Sequence, residues 1–201
     1  MVEFALIALP FFMIIFGIID FSILIFDMHS ANAGARASAR FVGTGELETR
    51  TDCAMDFNNN FDPPAVTPAE IANLDVQIEN LKRVICMTKN RSHLNPNRIR
   101  VLIRFEDKVN PRLKAQNPIE PGDSVVVCMM TRISSLTRLY SSILDDRSLN
   151  TTTRARLEGG QGFDYAKLTE GGERPLPGET WNDCYKALTG VPVGWSESTA
   201  P

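Results

Sequence analysis

The chain has little histidine, no two cysteines close in sequence and almost no charge at its start. His29 and His93 are the only histidines in 201 residues, and neither has the spacing of a zinc site. Cys53, Cys86, Cys128 and Cys184 are too far apart for a CxxC motif, which removes the redox and zinc-ribbon readings. No phosphate loop and no nucleophile elbow occurs: GTGE and GGQG are lone Gly-rich turns. Acid pairs such as Glu106-Asp107 and Asp145-Asp146 are of the kind that solvated loops carry. We therefore expect no catalytic residue, no metal and no cofactor. The 24 acidic and 21 basic residues are interspersed, without the basic patch that a nucleic-acid partner requires.

What the sequence does have is a long apolar start. Phe4 to Phe26 is interrupted by a single charge, Asp20. As a helix rising ~1.5 Å per residue this run is about 35 Å long, enough for a bilayer core of roughly 30 Å. Seven of the eleven phenylalanines stand before residue 42. Apolar side chains on every face suit a helix among lipids or inside a bundle. A signal peptide fits poorly, because the run exceeds an h-region of about 7–15 residues and no basic segment precedes it. An acid within such a run is a functional candidate by default, although Asp20 stands toward one end and could reach the interface. Asp27 follows one heptad later on a similar face. Pro10 removes one N–H from the helix, and Gly17 lowers its stiffness.

The helix pattern continues to about Val42 with small residues. Ala31, Ala35 and Ala39 form one i, i+4 row, and Ser30, Gly34 and Ser38 another. Such rows allow close helix–helix approach, against a neighbouring helix or against the chain's own domain. The first basic residue after the run is Arg36. By the positive-inside rule this would leave the following domain in the cytoplasm, in conflict with four widely spaced cysteines that favour an oxidising compartment.

Downstream, an α+β domain is expected. Gly43 to Pro64 carries turn signals. Thr67-Pro68-Ala69-Glu70 reads as a capping box opening a helix with Ile71, Leu74, Ile78, Leu81 and Ile85 on its apolar face. Ile99 to Phe105 and Ser124 to Met130 read as antiparallel strands, and Ile133 to Leu144 as a short helix. The Thr-rich Asn150 to Leu157 reads as a third strand. The chain is thus divided into a stalk (1–42), a head (43–158) and a Gly/Pro-rich extension (159–201). The three possible pairings of four cysteines remain open by spacing. Cys53–Cys86 and Cys128–Cys184 are the bonds expected, the first tying the loop after the stalk to the second helix and the other tying the extension to a strand.

The opening residues resemble the N-terminal helix of TadE-like proteins, minor pilins or pseudopilins of the tight-adherence (type IVc) pilus. The matching positions are Val2-Glu3-Phe4-Ala5-Leu6, Pro10, Gly17-Ile18-Ile19-Asp20, and Ala33 to Arg40. Residues 122–158, GDSVVVCMMTRISSLTRLYSSILDDRSLNTTTRARLE, resemble the family's closing strand, short helix and Thr-rich strand. The resemblance implies a basic leader ending in Gly, cut by a prepilin peptidase just before the apolar helix. Neither that Gly nor its basic residues stand before Val2. Such a leader would keep the N-terminus cytoplasmic and put the cysteines outside, which resolves the conflict over orientation.

The family resemblance implies a single-pass bacterial inner-membrane protein with a periplasmic head, acting in pilus biogenesis and adherence. Its partners would be the major pilin, other minor pilins or pseudopilins, the inner-membrane assembly machinery and the bilayer. Glu3 would pair with a terminal amine or other compensating charge inside a helix bundle, and Asp20 matches an acidic position of the family. Pro10, Gly17, Ala31, Gly34, Ala35, Ser38 and Ala39 would serve helix packing. The alternative is a membrane-retained assembly factor or tethered binding module that does not polymerise.

Overall fold

The computed structural model describes residues 2–44, 61–62, 74–108, 119–145, 147–158, 168 and 170–181. A 43-residue helix, α1 (Val2–Thr44), leads into β1 (Phe61–Asp62), α2 (Leu74–Ser92), β2 (Ile99–Glu106) and β3 (Ser124–Arg132). The single turn α3 (Ser141–Leu144) precedes β4 (Ser148–Arg156) and β5 (Gly171–Glu173). The strands form one antiparallel sheet in the order β1-β5-β2-β3-β4. The layout is α+β, as expected from the sequence.

The sheet and helices meet through the period-2 pattern of the strands. Ile99, Val101, Ile103 and Phe105 of β2 join Val125, Val127 and Met129 of β3 on one buried face. Against that face pack Leu81, Val84 and Ile85 of α2 and Ala31, Ala35, Ala39 and Val42 of α1. The small-residue rows of α1 are therefore buried in the chain's own head. Gly34 shows how tight this contact is: a Cβ there would lie 2.8 Å from the Thr88 carbonyl oxygen and 2.9 Å from the Ser92 Cβ. The Thr88 oxygen is helix backbone and cannot swing aside. We expect Gly34→Ala to destabilise the head by about 1–3 kcal/mol through overpacking. This exceeds the gain in helix propensity of up to ~1 kcal/mol, so a thermal melt of the detergent-solubilised chain should show a lower midpoint than wild type.

α2 ends where His93 takes a left-handed backbone conformation at φ 55°, after which Asn95 Oδ1 accepts from Asn97 N at 3.0 Å to start a 3-10 turn at Pro96–Arg98. This turn feeds β2. Among the described residues β5 pairs with β2 only at Leu102 and Ile103, and side chains meet other donors along that edge of β2. Two carboxylates do so. Glu173 Oε2 accepts from Val101 N at 3.1 Å, and Glu170 Oε1 accepts from Phe105 N at 2.9 Å. An open edge is a template for unwanted strand addition, and these side chains occupy its donors.

The structure departs from the sequence reading in three places. Residues 133–140 are not helical, and only Ser141–Leu144 forms a turn of helix. The backbone N–H groups that a helix would use donate to side-chain carboxylates instead, as described below. The Cys128–Cys184 bond is not formed, because Cys128 is a buried thiol. It donates to Thr152 Oγ1 at 3.8 Å, its register partner on β4, and packs with Leu102, Val126 and Trp181 on the second face of the sheet. Finally, Gly171–Glu173, within the stretch read as an extension, contributes a strand beside β2. Cys86 is disulfide-bonded, and the cysteine it joins lies outside the described residues. Cys53, Cys184, the 67–70 capping box and the side chain of Glu3 also lie outside them.

Candidate functional site: the junction of the apolar helix and the head

Asp20 is the acid in the apolar run, and the structure buries it to 4% exposure while its helical neighbours Ile19 and Phe21 stay exposed. The loop following β3 surrounds its carboxylate. Oδ1 accepts from the backbone N–H groups of Leu136 and Thr137, each at 3.1 Å. Oδ2 accepts from the Ser135 hydroxyl at 2.6 Å and the Thr137 hydroxyl at 2.7 Å. Both oxygens are thus saturated by short-range donors, and hydrogen bonds to an ionised acceptor are the strong class. Asp145 Oδ1 braces the loop from the other side by accepting from Ser135 N at 2.9 Å.

A second contact lies almost two helical turns nearer the N-terminus. The Tyr140 hydroxyl donates to the Met13 carbonyl oxygen at 3.1 Å. A helix carbonyl keeps a second lone pair for such a donor, and Gly17 leaves the approach open. A Cβ at position 17 would meet the Tyr140 hydroxyl at 3.1 Å. Gly17, Asp20, Phe21, Leu24, Tyr140 and Leu144 line a small apolar cleft of about 190 Å³. One heptad beyond Asp20, Asp27 lies 3.8 Å from Arg98 Nη2, which also donates to the Arg132 carbonyl at 2.6 Å. Asp20, Asp27, Ala31, Ala35, Ala39 and Val42 form one continuous buried stripe along α1. The rest of the N-terminal half, from Leu6 to Phe26, presents exposed apolar side chains.

α1 is long and apolar enough to cross a membrane. Residues 1–40 match the family model of TadE-like proteins. No curated protein and no solved structure matches the chain. The match covers about a fifth of the chain, and the one long apolar helix among the described residues is compatible with a single-pass membrane protein. The matched segment contains Glu3, Pro10, Gly17, Asp20 and the small-residue rows. The structure brings only part of this set together. Gly17 and Asp20 meet the 135–144 loop, whereas Ala31, Gly34, Ala35, Ser38 and Ala39 meet α2 and the sheet. Ser38 Oγ bonds the Gly34 carbonyl at 2.9 Å within α1. Pro10 is exposed inside the helix.

Four residues that carry this junction had no sign in the sequence pattern: Ser135, Thr137, Tyr140 and Arg98. The available signal was local chemistry. Ser134-Ser135-Leu136-Thr137 is a cluster whose hydroxyls favour turns over helix interiors. Among the described residues, no group of three His, Cys, Asp or Glu side chains is placed to hold a metal.

Away from this junction, a buried ion pair ties α2 to β5. Lys89 Nζ lies 2.6 Å from Glu173 Oε1, with side-chain exposures of 5% and 3%, and Nζ also donates to the Pro96 carbonyl at 3.1 Å. Burial pushes the Glu173 carboxyl up and the Lys89 ammonium down, and their mutual attraction opposes both shifts. The pair joins three elements, α2, β2 and β5, through one carboxylate.

Proposed function

We propose that the chain is a minor pilin or pseudopilin of a tight-adherence pilus. Its stalk, residues 1–42, would rest in the bacterial inner membrane with the head in the periplasm. It acts by assembly and not by catalysis. The observation that carries this reading is the TadE-like match at residues 1–40, falling on a helix whose N-terminal half leaves apolar side chains open to lipid or to other helices. Exchange of lipid for neighbouring helices at such a surface needs no refolding of the head, because the head already holds the other end of the helix. Partners on this reading are the major pilin, other minor pilins and the inner-membrane assembly machinery, with a prepilin peptidase acting on the precursor.

Glu3 supplies the test. An acid at the start of an apolar helix is costly to bury unless a compensating charge meets it, which a neighbouring subunit's terminal amine would provide. Glu3→Ala is expected to insert normally into the membrane fraction while pili recovered by shearing are lost or strongly reduced. Unchanged piliation with this variant as the sole copy would overturn the polymer reading and favour a membrane-retained assembly factor.

A further inference from the structure

We propose that the loop 135–140 is a second membrane contact of this protein: Leu136 and Leu139 enter the leaflet on the head side of the bilayer that holds α1. The inference rests on the membrane reading of the stalk and adds to it a part for the head. Crossing a hydrocarbon core of roughly 30 Å takes about 20 helical residues. The apolar run spans Phe4 to Phe26, so every window of that length within it contains Asp20, Gly17 and Met13. The loop is fastened at just these levels, by Asp20 and by the Met13 carbonyl. Wherever the run is placed in the bilayer, the loop is carried to the depth of the acyl chains or their edge.

The loop is built for that depth in two independent ways. Four of its backbone donors find partners within the protein: the N–H groups of Leu136 and Thr137 bond Asp20, that of Ser135 bonds Asp145, and that of Leu139 bonds Thr137 Oγ1 at 3.4 Å. Irregular backbone is otherwise excluded from hydrocarbon because nothing there satisfies its donors. The side chains turned outward are also those of an interfacial anchor. Leu136 is 70% and Leu139 45% exposed, with Arg138 exposed between them. A long cationic side chain reaches back to lipid phosphates while its stem stays among apolar groups. Asp20 thus acts as the internal counterpart that lets a polar loop enter a low-dielectric layer.

The test uses the full chain in phosphatidylcholine–phosphatidylglycerol vesicles, with and without brominated acyl chains that quench nearby tryptophan. Leu136→Trp, Leu139→Trp and, on the stalk, Phe16→Trp are each compared with wild type, whose native tryptophans set the baseline. The added emission of Leu136→Trp and Leu139→Trp should be blue-shifted and quenched by brominated lipid, as that of Phe16→Trp is. If Phe16→Trp is quenched and both loop variants emit as in water, the proposal fails and the membrane span stands. If none of the three is quenched, the membrane span fails with it.

Discussion

Asp20→Ala should detach the 135–140 loop from α1. The substitution removes four acceptor contacts at once and leaves the N–H groups of Leu136 and Thr137 and two hydroxyls facing an apolar helix. Hydrogen bonds to a charged group contribute roughly 1.5–3 kcal/mol each, but these four share one carboxylate and water can replace some once the loop opens. A net loss of about 2–4 kcal/mol is therefore expected, concentrated in local opening and not in the sheet. Hydrogen exchange should accelerate in residues 135–140 and stay nearly unchanged in β2 and β3. Asp20→Asn should be milder. Its amide oxygen can still take the two backbone N–H groups, and the Ser135 and Thr137 hydroxyls can rotate to accept from its NH₂ group. Equal exchange in both variants and wild type would show that the loop is held by Tyr140 and Leu144 alone.

The second large effect is expected at Glu173. Glu173→Ala removes the partner of the buried Lys89 ammonium and the acceptor of the Val101 N–H together. Removing one partner of a buried ion pair costs about 3–5 kcal/mol, so this variant should lose much of the head's stability in a denaturant titration. Glu173→Gln keeps an acceptor oxygen and should cost clearly less. Lys89→Met combined with Glu173→Gln should recover most of the loss seen with Glu173→Ala, because no buried charge is left behind. The pH dependence has a definite sign. Burial raises the Glu173 carboxyl above its ordinary 4.5. Above pH 4.5 the folded chain therefore holds a proton that the unfolded chain has released, and stability falls as pH climbs toward the raised value. Relative to Glu173→Gln, wild type should lose thermal stability as the pH rises from 4.5 toward that raised value. Lys89 acts at the alkaline end with the opposite slope, since its lowered value makes stability rise as pH approaches 10.5.

These sites differ in how far the sequence reveals them. The helix through Thr44 and the strands β2 and β3 follow from one-dimensional patterns, a long apolar run in the helix, near-alternation in β2 and a continuous apolar run in β3, and those patterns survive folding. Asp20 is visible for the same reason, as a charge where none belongs. Its partners are not visible, because Ser135 and Thr137 lie more than a hundred residues away. Leu136, Leu139, Tyr140 and Leu144 mimic a helical period, yet tertiary hydrogen bonds to Asp20 outcompete the helix across 135–137. β5 fails to show because Gly171-Gly172-Glu173 has no apolar pattern. It is a strand by virtue of its pairing with β2, and Gly172 lets it come close: a Cβ there would lie 2.7 Å from the Leu102 Cα. Cys128 misleads in the opposite way. An even cysteine count suggests full pairing, but Cys128, in the middle of the interior strand β3, is buried beside Thr152 and against Leu102, Val126 and Trp181.

The stripe running from Asp20 through Asp27 to Val42 also fixes the azimuth of the stalk. A helix held at one end could swivel beneath its head, but α1 is held at Asp20, at Asp27 and along its alanines, so it cannot rotate about its own axis without breaking all three. Heptad spacing puts Phe11, Ile18 and Ile25 on the side opposite Asp20, all exposed. On the assembly reading proposed above, a neighbouring helix docked on that ridge would set the compass bearing of the whole head.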